Sequence, residues 1–83
     1  MSEETLLTVE ELAVVCAATP EWVRARVEEG LLTAASEWRF SALVVRRARR
    51  MRSLERDFDA APELAALVAD LLEELDALRA RLD

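Results

Sequence analysis

The chain has 83 residues and a formal net charge of −6, which limits it to one small domain that buries only about 60% of its unfolded surface. It has no His and one Cys, and all 11 cations are Arg, which removes the usual serine and cysteine dyads, Schiff-base chemistry, a zinc site and an internal disulfide. With no secretory signal and no apolar run of about 18 residues, it reads as a soluble cytoplasmic protein.

Paired carboxylates are the remaining catalytic option. Glu10/Glu11, Glu28/Glu29 and Glu73/Glu74 are adjacent in sequence, so on a helix each pair diverges by about 100° instead of converging on one substrate atom. The expectation is a non-enzyme with no metal and no cofactor.

Taken in order, residues 1–4 are a polar start and residues 5–7 suit a brief strand. Residues 8–32 read as a helix-turn-helix. Thr8 and Glu11 form a capping box with Leu7 and Leu12 at the staple positions. The first helix is expected over residues 9–17, burying Leu12, Val15 and Cys16 and leaving Glu10, Glu11 and Val14 outside. Thr19 caps a second helix over residues 20–29, with Pro20 at its first position and Gly30 ending it. Val23 and Val27 face the core, Glu21, Arg24 and Glu28 face solvent, and Leu31 and Leu32 return inward. Cys16 reads as a buried small hydrophobe, because no His or Lys is present to activate it.

Residues 33–40 are a polar excursion ending in EWRF, a reduced wing that suits a β-turn packed on the helices or a small strand pairing with the Leu6/Leu7 segment. Trp22 and Trp38 read as packing residues, not as stacking platforms.

Ser41 caps a third helix over residues 41–56, where the charge reverses. Residues 1–38 hold eight acids and two arginines, residues 39–56 seven arginines and one acid, and residues 57–83 eight acids and two arginines. Val44, Val45, Ala48, Met51 and Leu54 make the apolar face, with Arg46, Arg49, Arg50 and Arg56 around the remainder. Such a run can grip phosphates, but the flanking acids favour internal pairing with the last helix.

Asp59 and Pro62 mark the entrance to a leucine-rich C-terminal helix over residues 59–83. Leu64, Val68, Leu71, Leu75, Leu78 and Leu82 step by 4, 3, 4, 3 and 4, the spacing of a coiled-coil seam. Leu67 and Leu72 widen the apolar surface. One side is expected on the chain's own domain and the other on a second copy, giving a homodimer whose helix direction the spacing leaves open.

The order of helix-turn-helix, EEGLL, shortened wing with WRF, RRARRMRSLERDF helix and terminal leucine helix resembles the MerR-like winged-helix architecture. Small size and the DFDAAPELAAL passage into a short last helix resemble the CbpM chaperone-modulator family in particular. That resemblance implies an all-α, MerR-like winged helix-turn-helix of about four helices, with a reduced wing and a leucine-rich C-terminal helix. It also implies binding to the J-domain of a DnaJ/CbpA-like co-chaperone.

The charges bear on which branch applies. A DNA reader places its second helix in the major groove and needs cations or amides on its exposed face. Here Arg24 and Arg26 stand against Glu21, Glu28 and Glu29, so phosphates are repelled. A basic helix on a J-domain is instead complementary to such a surface. The expected partner-binding residues are Glu10, Glu11, Val14, Glu21, Glu28 and Glu29. The alternative is a small dimeric MerR-like DNA-binding regulator using Arg24, Arg39, Arg46, Arg49 and Arg50. A bare dimerisation or adaptor module that binds neither is a third reading.

Overall fold

The computed structural model describes residues 5–82; the polar start at residues 1–4 lies outside them. The order of elements is β1 (Leu7–Thr8), α1 (Val9–Val15), α2 (Pro20–Glu28), β2 (Arg39–Phe40), α3 (Ala42–Phe58) and α4 (Pro62–Leu82). The described residues are therefore mostly helical with one two-stranded sheet.

Local side-chain to backbone bonds fix the helix starts. Thr8 accepts the Glu11 N–H at 3.1 Å while the Glu11 carboxylate accepts the Thr8 N–H at 2.8 Å, closing the capping box. Thr19 accepts the Trp22 N–H at 3.1 Å ahead of Pro20, and Ser41 accepts the Val44 N–H at 3.4 Å.

The ends of α1 and α2 share one motif. The Ala18 N–H reaches Ala13 O at 2.9 Å and the Ala17 N–H reaches Val14 O at 3.1 Å; after α2, Leu31 reaches Arg26 O at 2.9 Å and Gly30 reaches Val27 O at 3.0 Å. Both are Schellman closures whose pivot is left-handed, at φ 55° for Ala17 and 78° for Gly30. The closure at Ala17 ends α1 two residues earlier than the spacing predicts.

β1 pairs antiparallel with β2, Leu7 opposite Phe40 and Thr8 opposite Arg39, one residue on from the expected Leu6/Leu7 segment. The pairing carries Phe40 into the centre of the domain. Phe40, Leu12, Met51 and Val23 are fully buried there, surrounded by Val9, Ala13, Cys16, Leu32, Ala48, Ala65, Ala66 and Ala69.

Two expected core positions lie outside. Val15 is 43% exposed, because α1 presents Val9, Leu12, Ala13 and Cys16 inward, a stripe whose spacing of 3, 1 and 3 turns Val15 away. Trp38 is 45% exposed, because a left-handed backbone at φ 53° forms the tip of the turn before β2.

α3 runs two residues beyond the expected end. Asp59, left-handed at φ 54°, caps it through an N–H bond to Leu54 O. Asp59 thus closes α3 and does not open α4, whose first bond joins the Ala65 N–H to Ala61 O at 2.9 Å. α4 folds back with Ala65, Ala66 and Ala69 buried, small residues that let it approach the body of the domain closely. Of the seam residues, Leu64, Leu71, Leu75, Leu78 and Leu82 are exposed and Val68 is half-buried. No helix among the described residues is long and apolar enough to cross a membrane.

Candidate protein-docking surface

The capping box holds the first turn of α1 in place and aims Glu10 and Val14, four residues apart, at the same side. Both are exposed, Val14 at 80%. On α2, Glu21, Arg24 and Glu28 recur at intervals of three and four and form the solvent row opposite buried Val23. Arg24 joins the two helices, its Nη2 lying 3.4 Å from Glu10 Oε2. The wing completes this surface: Glu37, Trp38 and Arg39 line an open groove of about 300 Å³ together with Glu10 and Arg24.

Glu10, Arg24, Glu21 and Glu28 therefore belong to one continuous face, with Val14 and Trp38 as its apolar points. Glu11 is exposed about 100° round α1 from Glu10, and its carboxylate is engaged in the cap. Glu29 is drawn to the end of α2, where it accepts from Arg26 Nη1 at 3.1 Å. Counting Glu37, the exposed α1, α2 and wing surface carries Glu10, Glu11, Glu21, Glu28 and Glu37 against Arg24 and Arg39, so its sign is negative.

Part of the positive segment is occupied internally. Arg47 donates through Nε to Leu31 O at 2.8 Å and through Nη1 to Asp70 at 2.6 Å and Glu73 at 3.0 Å, tying α3 both to the end of α2 and to α4. Burial pulls the Arg47 pKa down, but its bonds to Asp70 and Glu73 outweigh that and hold it above the usual guanidinium value. Arg50 pairs with Asp76 at 2.8 Å, with Arg46 4.0 Å from the same oxygen. Of the arginines expected for a DNA reader, Arg24, Arg46 and Arg50 are thus in ion pairs, whereas Arg39 and Arg49 have none among the described residues.

Glu55 was visible in sequence as the lone acid within the arginine run. It organises what sequence reasoning missed: its carboxylate accepts Arg26 Nε at 3.1 Å, Arg26 Nη2 at 2.9 Å and Trp22 Nε1 at 3.0 Å. Trp22 is thus a packing residue with its polar edge satisfied. No group of three His, Cys, Asp or Glu able to hold a metal converges among the described residues. Comparison with known proteins finds no matching family model, no similar curated protein and no similar solved structure.

Proposed function

We propose that this chain is a non-catalytic chaperone modulator of the CbpM type on a MerR-like winged helix-turn-helix scaffold. It binds the J-domain of a DnaJ-like co-chaperone and covers the surface that the J-domain presents to its chaperone. The observation that carries this reading is the sign of the exposed α1–α2 face. Glu10, Glu21 and Glu28 surround a single Arg24 already committed to Glu10, so α2 offers a major groove little but repulsion. A basic helix finds there a complementary potential that speeds encounter and selects its orientation.

Val14, one turn of α1 from Glu10, and Trp38, beside Glu10 and Arg24 in the groove, supply apolar contact on that face, and an exposed aromatic beside acids suits a protein interface. Binding energy is expected to concentrate on these two, with the rim carboxylates governing association rate and salt dependence.

Calorimetric titration with an isolated J-domain tests the reading. A saturable one-to-one isotherm that weakens as salt rises supports it. No heat at 100 µM protein, a concentration of order ten times a weak complex's dissociation constant of about 10 µM, together with retardation of duplex DNA at low salt, would transfer the function to the regulator alternative.

A further inference from the structure

We infer that the pocket between the end of α1 and the second half of α3 is a binding site for a small organic phosphate monoester, an anion with an apolar body. The pocket has a volume of about 480 Å³ and is bounded by Val15 of α1, by Arg49, Arg50 and Arg56 along α3, and by Leu72 of α4. That volume falls in the range of small-molecule sites. No acid is among the residues that line it, so a chain of net charge −6 carries here a concave surface of the opposite sign. A cleft lined by one sign of charge concentrates its counter-ions.

The arginines around the pocket are only partly neutralised. Arg50 Nη2 lies 2.8 Å from Asp76, and Arg56 Nε lies 3.2 Å from Asp57. Arg49 and Arg52 are in no ion pair among the described residues. Both charges are felt at Cys16, which lines the pocket: burial raises the pKa of its thiol, whereas Arg49 and Arg52 pull it down. Arg50 Nη1 and Arg52 Nε are also buried with no hydrogen-bond partner among the described residues. Buried donors of that kind ordinarily have an acceptor.

Charge and surface together name the ligand class. Two uncompensated cations match a phosphate monoester, which carries about −1.5 to −2 at neutral pH and three acceptor oxygens suited to guanidinium forks. A carboxylate would neutralise only one of them. Val15, Leu54 and Leu72 add apolar wall for the body of the ester. Val15 thereby gains a role at a position that faces away from the core. A duplex presents its phosphates on a convex surface, which a concave site does not fit. The pocket shares no residue with the acidic α1–α2 face, so it stands or falls independently of J-domain binding.

Titration of the intact, isotopically labelled chain with phenyl phosphate, followed through its backbone amide resonances, tests the site. The expected result is a saturable shift of the amides of residues 15–17 and 49–56, with a dissociation constant of about 1 mM or tighter. Benzoate, which has the same ring and a single charge, should bind at least fivefold more weakly. Arg49→Gln changes an exposed side chain in no ion pair among the described residues, and it should weaken phenyl phosphate at least fivefold with the thermal midpoint unchanged. Val15→Asp puts a carboxylate in the wall of the pocket and should abolish binding while circular dichroism stays helical. No saturation by about 10 mM phenyl phosphate, benzoate bound as tightly, an Arg49→Gln chain that binds like wild type, or displacement of phenyl phosphate by duplex DNA at equal phosphate concentration would overturn the proposal.

Discussion

Arg26 grips Glu55 with two parallel bonds, Nε to Oε2 at 3.1 Å and Nη2 to Oε1 at 2.9 Å, while its guanidinium stands 5.1 Å from the centre of the Trp22 ring. The pair spans α2 and α3 with side chains only 12% and 10% exposed. It fixes the rotation of α2 and thereby decides that Glu21, Arg24 and Glu28 look outward. Trp22 adds a third bond to the same carboxylate, so removing Glu55 leaves donors from two side chains unpaired.

Glu55→Ala is therefore expected to destabilise the domain by about 2 kcal/mol, the cost of orphaning partly buried charged donors. Arg26→Lys should recover little of a bidentate grip, because an ammonium lacks the planar fork. Urea denaturation of the three proteins checks both, with midpoints ordered wild type, Arg26→Lys, Glu55→Ala.

The pair also sets a pH dependence. Burial pushes the Glu55 carboxyl up, but the bonds from Arg26 and Trp22 outweigh it and leave the pKa below the usual glutamate value. A folded pKa below the unfolded one means stability that is fully present above the ordinary glutamate value of about 4.3 and is lost as pH falls through the depressed folded value. Wild-type thermal midpoints should drop over that acid range more steeply than those of Glu55→Gln.

Left-handed positions give a prediction of opposite sign at two matched sites. Ala17 and Gly30 pivot the same kind of helix closure, at φ 55° and 78°. Ala17→Gly relieves the Cβ clash of that region and should stabilise by about 0.5 to 1 kcal/mol. A Cβ at Gly30 meets nothing within 4 Å, so Gly30→Ala incurs backbone strain alone and should cost about 1 kcal/mol. Chemical denaturation of both variants reads the two signs.

The thiol should be inert while the chain is folded. Cys16 is buried, and burial raises its pKa although Arg49 and Arg52 pull in the other direction. Labelling with a thiol reagent at pH 8 should be slow in buffer and rapid in denaturant; equal rates in both would contradict the buried placement.

What the sequence made legible were features written within a few residues of one another. Thr8 with Glu11, Thr19 with Pro20, Gly30 and Ser41 each act on their own neighbouring backbone, so their roles can be read without a fold. The inward stripe of α1 is not legible at Val15 because seven residues give barely two turns, and two apolar rows compete until α2 and β2 choose between them. The exposure of Trp38 is not legible either, because its left-handed turn is selected by the pairing of Arg39 with Ser36 and Thr8, not by Trp38 itself. The exposure of Glu10, Glu21 and Glu28 is legible in their spacing, whereas the role of Glu55 is not, since its partners Trp22 and Arg26 lie about thirty residues away.

Charge reversal on α2 measures the central claim most directly. Glu21→Arg with Glu28→Arg changes two exposed side chains that take part in no hydrogen bond or ion pair among the described residues, so stability should move by less than about 1 kcal/mol. Glu11 is a poorer choice, because its carboxylate closes the cap of α1. Titrated against a J-domain, the double variant should bind at least tenfold more weakly than wild type and lose most of the salt dependence. Unchanged affinity and an unchanged salt slope would contradict the acidic α1–α2 face as the docking surface.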